Sequence, residues 1–443
     1  MIEGARKVMY VRDPVSGTLK LSSVQEELLK TVEVQRLSFV HQLGTTFQCY
    51  PGAHGMRLSH ALGVSSLAAV IARAVLPPGE QTEREVSLLE AAGMLHDIGH
   101  TPWSHTLEPL YLELTGGDHM DLVADLVTGR RTMGIPGSGT IPGVLTAHGL
   151  DPEDVASLIL CRFDRRRYLQ QIIFGEVDAD MLDYLQRDFY FTGVAFGHIE
   201  TDRILSTMVL RDDQLVFLQK GLDAVRDFLL ARLQMYSSVY LHKKTRIVDQ
   251  MLLRAARRSI LELGEVDRFY EMTDDELLSF LVKGSGDPWV RDMAWRVKFR
   301  QKLFAQVFRI DAASPTSVDE RFLNTLRERG TGPAETARRL EREISADAGL
   351  EPGYVLVDLP LEAVRVSEER FEKTGISFVD STGRLRTLEE LDPPFAAYLG
   401  SARPNRSLLT VACSPEHRSV VAQSCRKVFE AAVSPLFAEM EED

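Results

Sequence analysis

The chain has 443 residues, 44% hydrophobic and 26% charged, with a formal net charge of −13. That length exceeds one ordinary core and predicts two or three subdomains of a soluble globular protein. The acidic balance argues against broad nucleic-acid binding and leaves room for a local basic pocket. No unbroken run of about 18 apolar residues occurs, so no membrane span is expected. The start, Met1-Ile2-Glu3-Gly4, lacks the basic region and apolar stretch of a signal peptide, and the expected location is cytoplasmic. Cys49, Cys161, Cys413 and Cys425 show no CxxC spacing and read as buried thiols, not as a zinc site or a disulfide framework.

In chain order, residues 8–22 alternate around Asp13-Pro14-Val15-Ser16-Gly17 and predict a hairpin. From 24 to about 127 the apolar spacing is mostly helical, as in Leu62, Leu67, Val70, Ile71 and Val75. Leu76-Pro77-Pro78-Gly79 ends one helix, and the next runs from about Thr82 into Leu95. The Gly/Pro-rich stretch 129–142 predicts a mobile loop. Helical patterns resume over 152–190, a strand pair is expected over 206–218 with its turn at Asp212-Asp213, and long helices follow over 221–263. Thr273 caps a further helix. Residues 354–359, 375–379 and 407–412 are strand-like, and a last helix covers about 415–433. The expected fold is mainly α: a hairpin over 1–22, a helical catalytic core over 23–263, and a smaller α+β region over 264–443.

Six of the 11 histidines lie close together: His54, His60, His96, His100, His105 and His119. A lone histidine is usually an ordinary half-buried residue. Here, however, His96-Asp97 ends the apolar helical run 88–95. Polar groups at the end of a buried helix need partners, and a metal supplies one. Imidazole with carboxylate suits a first-row divalent ion. On a helix, Asp180, Asp183 and Tyr184 share one face, which Asp188 continues. Arg232 and Tyr236 are also four apart, with Tyr240 one turn on.

Three motifs carry a family likeness: Arg57-Leu58-Ser59-His60, then His96-Asp97-Ile98-Gly99-His100-Thr101-Pro102-Trp103-Ser104-His105, then Asp178-Ala179-Asp180-Met181-Leu182-Asp183-Tyr184-Leu185-Gln186-Arg187-Asp188. The chain resembles the HD-domain phosphohydrolase superfamily, and within it the deoxynucleoside triphosphate triphosphohydrolase branch, over about 13–263. The resemblance implies a helical HD core and a divalent metal held by His60, His96, Asp97 and Asp180. Iron, manganese, magnesium, cobalt and zinc all remain open. It implies that His119 is the catalytic histidine with Glu108 as its acidic partner, and that His100 lies near the scissile phosphate. Arg57 and Arg232 match phosphate-holding arginines. Gln42 and Leu43 match residues that contact base and sugar, and Tyr184, Asp188 and Tyr240 match the sugar pocket, with Tyr236 in the same helix.

The expected partners are a nucleotide substrate and further copies of the chain, as a dimer or tetramer. An allosteric nucleotide is open at Arg165-Arg166-Arg167, which otherwise reads as a solvated face. Plainer roles stand beside the others: an Asp183–Arg187 ion pair, core packing for Tyr236 and Tyr240, and a backbone hydrogen bond for His105. His54 has a loop position, and His242-Lys243, which match a family His-Lys pair, have an equally good solvated or structural reading. Two positions depart from the family pattern. Met181 stands where the vertebrate enzyme has a triphosphate-contacting lysine, and Met120 where members often carry glutamate. Both thin the phosphate-binding charge. The leading expectation is hydrolysis of dNTPs to deoxynucleoside and triphosphate. The same metal site would serve nucleoside monophosphates or cyclic and signalling nucleotides, or a non-catalytic nucleotide sensor.

Overall fold

An antiparallel hairpin opens the chain, Tyr10–Asp13 paired with Gly17–Lys20. Its turn is held by Asp13, whose Oδ1 accepts the amides of Val15 (2.9 Å) and Ser16 (2.7 Å). The computed structural model describes residues 8–133, 139–195, 199–263, 269–311, 333–359, 375–402 and 407–438. The middle of the loop expected over 129–142, residues 134–138, lies outside them. The fold is mainly α-helical, with three small sheets among the described residues.

Two compact units form: Met1–Met235 with Glu265–Leu277 and Lys373–Leu399, and Tyr236–Gly264 with Leu278–Glu372 and Gly400–Asp443. The units interleave along the chain, whereas the sequence pattern suggests linear divisions after 22 and 263. Strand pairing explains part of this. Gln214–Leu218 pairs in parallel with Ser377–Val379, which draws a late segment into the first unit. Helix Lys243–Leu263 packs in the second unit on Pro288–Phe299 and Val355–Asp358, not in the helical core.

In the first unit, helices Arg57–Val75 and Glu80–Leu95 pack along each other, and Ala179–Thr192 crosses the former. Helix Arg57–Val75 has the length and hydropathy of a membrane span, with a mean hydropathy of 1.5. It is not an unbroken apolar run, because Arg57, Ser59, His60, Ser65, Ser66 and Arg73 interrupt it. More than half of it is buried inside the protein, as in a core helix. Its Ala61, Val64, Ala68, Ile71 and Ala72 are fully buried with Leu89, Ala91, Ala92 and Leu95 of its neighbour.

The second unit holds an antiparallel sheet with Ser407–Cys413 between Ala305–Asp311 and Val355–Asp358. Helices Pro333–Asp347 and Arg418–Ala438 bury Leu340, Ile344, Val421 and Phe429 against it.

Candidate metal centre and active site

The four candidate metal-binding side chains sit at helix ends or in first turns, where the side chain and its partners are fixed together. His60 lies in the first turn of Arg57–Val75, and His96 caps Glu80–Leu95 with Asp97 next. Asp180 is in the first turn of Ala179–Thr192. That helix begins at Asp178, whose carboxylate accepts the amides of Met181 (2.6 Å) and Gly175 (2.9 Å).

The ligand atoms of His60, His96 and Asp180 all lie within 4.8 Å of one another. His60 Nε2 is 3.0 Å from Asp180 Oδ1 and 3.2 Å from His96 Nε2. Asp97 lies beside this group of three, with Oδ1 3.4 Å from His96 Nε2 and Oδ2 3.7 Å from His60 Nε2. The donor set fits a divalent cation because both imidazoles are oriented from behind. His60 Nδ1 donates to Asp183 Oδ2 (2.8 Å) and His96 Nδ1 to the Gly93 carbonyl (2.8 Å). Those bonds put the N–H on Nδ1 and leave both Nε2 lone pairs facing the carboxylates.

The same carboxylates draw protons to these imidazoles, and metal binding would displace them. Burial pulls the His60 imidazolium down, but Asp180, Asp183 and Asp97 outweigh it and hold its pKa at about 10. His96 is likewise raised, with Asp97 and Asp180 overcoming burial. Burial opposes ionisation of Asp97, yet Arg57 and the neighbouring histidines keep it well below the usual carboxylate range. The centre therefore attracts positive charge.

Beside it lies a second cluster. His100 Nε2 is 3.3 Å from Asp97 Oδ1, and its ring stacks on His119 at 4.1 Å and 16°. Burial, with Arg57 and His119 nearby, holds His100 far below the ordinary histidine range, so it is neutral. His119 Nδ1 bonds to Glu108, whose other oxygen accepts from His105 Nδ1 at 2.8 Å. Burial would raise the Glu108 carboxyl, but the two histidines hold it well below its ordinary value. His105 thus bonds a carboxylate, not the backbone group that its loop position suggests: the longer Glu side chain reaches both rings.

Arg57 is buried and forked. Its Nε donates to Ser104 Oγ (2.6 Å) and its Nη1 to Asp97 (2.5 Å), while Nη2 has no partner among the described residues. His100 Nδ1 and Gln42 Oε1 are also buried without one. Gln42 donates its amide to the Gly55 carbonyl (2.8 Å), and Leu43 starts the 3-10 turn Gly44–Gln48. Buried polar groups of this kind point to a polar ligand.

Tyr184 lies edge-on to His60 with ring centroids 6.5 Å apart, and Asp188 is buried one turn further on. Arg232 is buried on Leu222–Met235, close enough to Asp178 to offset a little of the rise that burial and Asp180 impose on that carboxyl. Tyr236 and Tyr240 do not continue that α-helical stripe. Helix Leu222–Met235 ends before a π-helical turn, Tyr236–Tyr240, in which each residue turns less about the axis. The two rings meet edge-to-face at 5.1 Å, in the second unit.

Met181 is a buried apolar side chain and Met120 is half-buried. His54 is exposed and stacks on Phe47 at 5.0 Å. Arg165 pairs with Asp154 (2.8 Å) and Arg166 with Glu85 (3.2 Å), so that basic run is partly neutralised.

The sequence pattern underrates Asp183. It forms the expected pair with Arg187 at 2.8 and 2.9 Å, but the same carboxylate also orients His60. The residue that explains this is Gly63, one turn beyond His60: any side chain there would collide with Asp183 and Arg187.

Comparison with known proteins matches residues 57–188 to the HD domain and residues 199–435 to the HD associated region. The YwfO protein of Bacillus subtilis is 30% identical over 398 residues, which is 86% of this chain and 87% of that protein. A deoxynucleoside triphosphate triphosphohydrolase SAMHD1 homolog of Dictyostelium discoideum is 27% identical over 281 residues, 60% of this chain and 50% of that one. The solved structure of a phosphohydrolase from Bacteroides thetaiotaomicron shares the fold with a TM-score of 0.68 and 22% identity, covering 92% of this chain and 99% of that one. The helical core with its His/Asp centre and these matches place the chain in the HD-domain phosphohydrolase superfamily, where it resembles the deoxynucleoside triphosphate triphosphohydrolase branch.

Proposed function

We propose that the protein hydrolyses dNTPs to deoxynucleoside and triphosphate. The observation that carries this is the Glu108–His119 pair, joined through the His100 ring to the convergent His60, His96, Asp97 and Asp180 side chains. Those four side chains would hold a divalent ion, which would supply a polarised phosphoryl oxygen and an acidified water. The chain's own groups do the rest. Arg57 Nη2 and Arg232 hold phosphate oxygens, for which arginine's permanently charged fork is suited. Neutral His100 directs its single N–H from Nε2 to Asp97, which leaves Nδ1 as an acceptor beside the reacting phosphate. Water adds to the α-phosphorus, the bond from phosphorus to the 5′ oxygen breaks, and His119 delivers the proton that the leaving 5′ oxygen needs. Glu108 fixes the His119 tautomer and stabilises its charged form. Gln42, Leu43, Tyr184 and Asp188 are the base and sugar contacts of this reading, and Leu43 would crowd a 2′-hydroxyl.

A second reading has its own support. Position 181 is a buried methionine, which offers a triphosphate no charge. A nucleoside monophosphate or a cyclic or signalling nucleotide needs less. Chromatographic identification of products from each dNTP and NTP, with manganese, iron, magnesium, cobalt and zinc in turn, tests both. Triphosphate and deoxynucleoside are expected. Release of inorganic phosphate or pyrophosphate alone sinks the dNTP reading, and binding without turnover under every metal favours a sensor. A homo-oligomer, dimer or tetramer, belongs to the same proposal and is read by analytical ultracentrifugation with and without dNTPs.

A further inference from the structure

Asp274 is far from the three motifs in sequence, yet its carboxylate is only 2% exposed and takes three hydrogen bonds from the site's two loops. Oδ2 accepts the His41 amide (2.8 Å) and His41 Nδ1 (2.7 Å), and Oδ1 accepts the Trp103 amide (2.6 Å). The Trp103–Ser104 step is left-handed at both residues, with φ of 62° and 54°. Such backbone persists only where neighbours hold it.

The chain of contacts continues into the phosphate-binding arm. Ser104 Oγ donates to the His41 carbonyl (2.6 Å) and accepts from Arg57 Nε (2.6 Å). Arg57 in turn donates to Asp97. His41 precedes Gln42, and its ring joins a three-ring cluster with Trp103 (5.6 Å, 6°) and Phe47 (5.5 Å, 29°), whose own centroids are 6.0 Å apart. A parallel tether runs through Arg36, which donates to the His100 carbonyl (2.8 Å) and to the Met272 carbonyl (2.7 Å). Residues 271–274 are therefore fastened to both the 97–104 turn and the 41–44 loop, all within the first unit.

The geometry points to Asp274 as a positioning residue that fixes Arg57 and Gln42 for the substrate without touching it or the metal ligands. A purely structural clasp would lower stability alone. A positioning clasp makes substrate affinity depend on it selectively. The inference rests on the phosphohydrolase reading, but not on which phosphoester is cleaved, because Arg57 serves any phosphate.

The test compares Asp274→Asn with His41→Phe, which keeps the aromatic packing and deletes the two ring bonds, from Nδ1 to Asp274 (2.7 Å) and between Nε2 and the exposed His54 (3.1 Å). Metal content, KM and kcat are measured for any phosphoester that the wild type hydrolyses, together with amide hydrogen exchange. Asp274→Asn is expected to raise KM about tenfold, the scale of one lost charge-assisted hydrogen bond. kcat and metal content should stay within about twofold, and the His41 and Trp103 amides should lose protection. His41→Phe should raise KM by less. In an Arg57→Ala background, Asp274→Asn should raise KM by a smaller factor, the share that acts through Gln42 alone. Unchanged KM in His41→Phe and Asp274→Asn, or a loss of metal that accounts for the whole effect, overturns the proposal. Turnover of other phosphoesters but not dNTPs would refute only the dNTP reading and leave this comparison intact.

Discussion

Asp183 holds His60 with one oxygen and Arg187 with both, while Arg187 reaches on to Asp13 of the hairpin at 2.9 Å. An outer carboxylate of this kind fixes a ligand's tautomer and basicity, and its loss typically costs 10–100-fold in metal affinity. Asp183→Asn should show a loss of about that size by metal titration calorimetry, and an unchanged affinity would remove Asp183 from the centre. Glu108 acts on the proton side instead. Glu108→Gln cannot stabilise a charged His119, so kcat should fall by roughly 10²–10⁴-fold with metal content intact. Glu108→Asp should fall less, and equal losses in both variants would argue against the charge. At this scale the ligands were legible, because each lies in a short motif. The doubled role of Asp183 was not, because a helical Asp–Arg pair at i, i+4 already accounts for both residues.

Helix packing decides whether these side chains can meet. Helix Arg57–Val75 passes Ala179–Thr192 at Gly63, where hydrogen is the only substituent that leaves room for Asp183 and Arg187. Gly63→Ala should cost about 1–3 kcal/mol of stability by overpacking. It should weaken metal binding as well, and a thermal melt with metal titration of the same sample measures both. A loss of stability with wild-type metal affinity would separate the helix crossing from the centre. Among the described elements, the hairpin and the strand pair over 208–218 follow from alternation and turn residues. The π-helical turn Tyr236–Tyr240 does not, because no residue type marks a change in hydrogen-bond period.

For the molecule as a whole, a divalent ion held at the His/Asp centre would be a folding partner as well as a reagent. Removing it with a chelator should abolish hydrolysis and lower the melting temperature, and re-added divalent ion should restore both. A ligand at 100 times its Kd stabilises by about 2.7 kcal/mol. A melting temperature indifferent to chelator would contradict binding at this centre. The second unit carries a separate alkaline signature. Burial pushes the Cys413 and Cys425 thiols up to about 12, against an ordinary 9.0. Their folded pKa is raised, so the unfolded chain loses protons first as pH rises. Stability should therefore hold below about pH 9 and fall between about 9 and 12. Urea midpoints across that range measure it, and a flat profile would refute it. Near neutral pH, exposed Cys161 should take up a maleimide while Cys413 and Cys425 react only on unfolding.

The sequence by itself determined the helical class, the hairpin, most strand positions and the family, because these are set by local periodicity, turn chemistry and contiguous motifs. It also named His60, His96, Asp97 and Asp180, each marked by its own flanking residues. Only the tertiary structure decided what turns those side chains into one centre. The bond from Asp183 to His60 spans 123 positions and that from Asp274 to Trp103 spans 171, and neither residue carries a local sign of its partner. A buried carboxylate declares its role through the donors that the fold brings to it, and those donors come from segments whose own patterns were already complete.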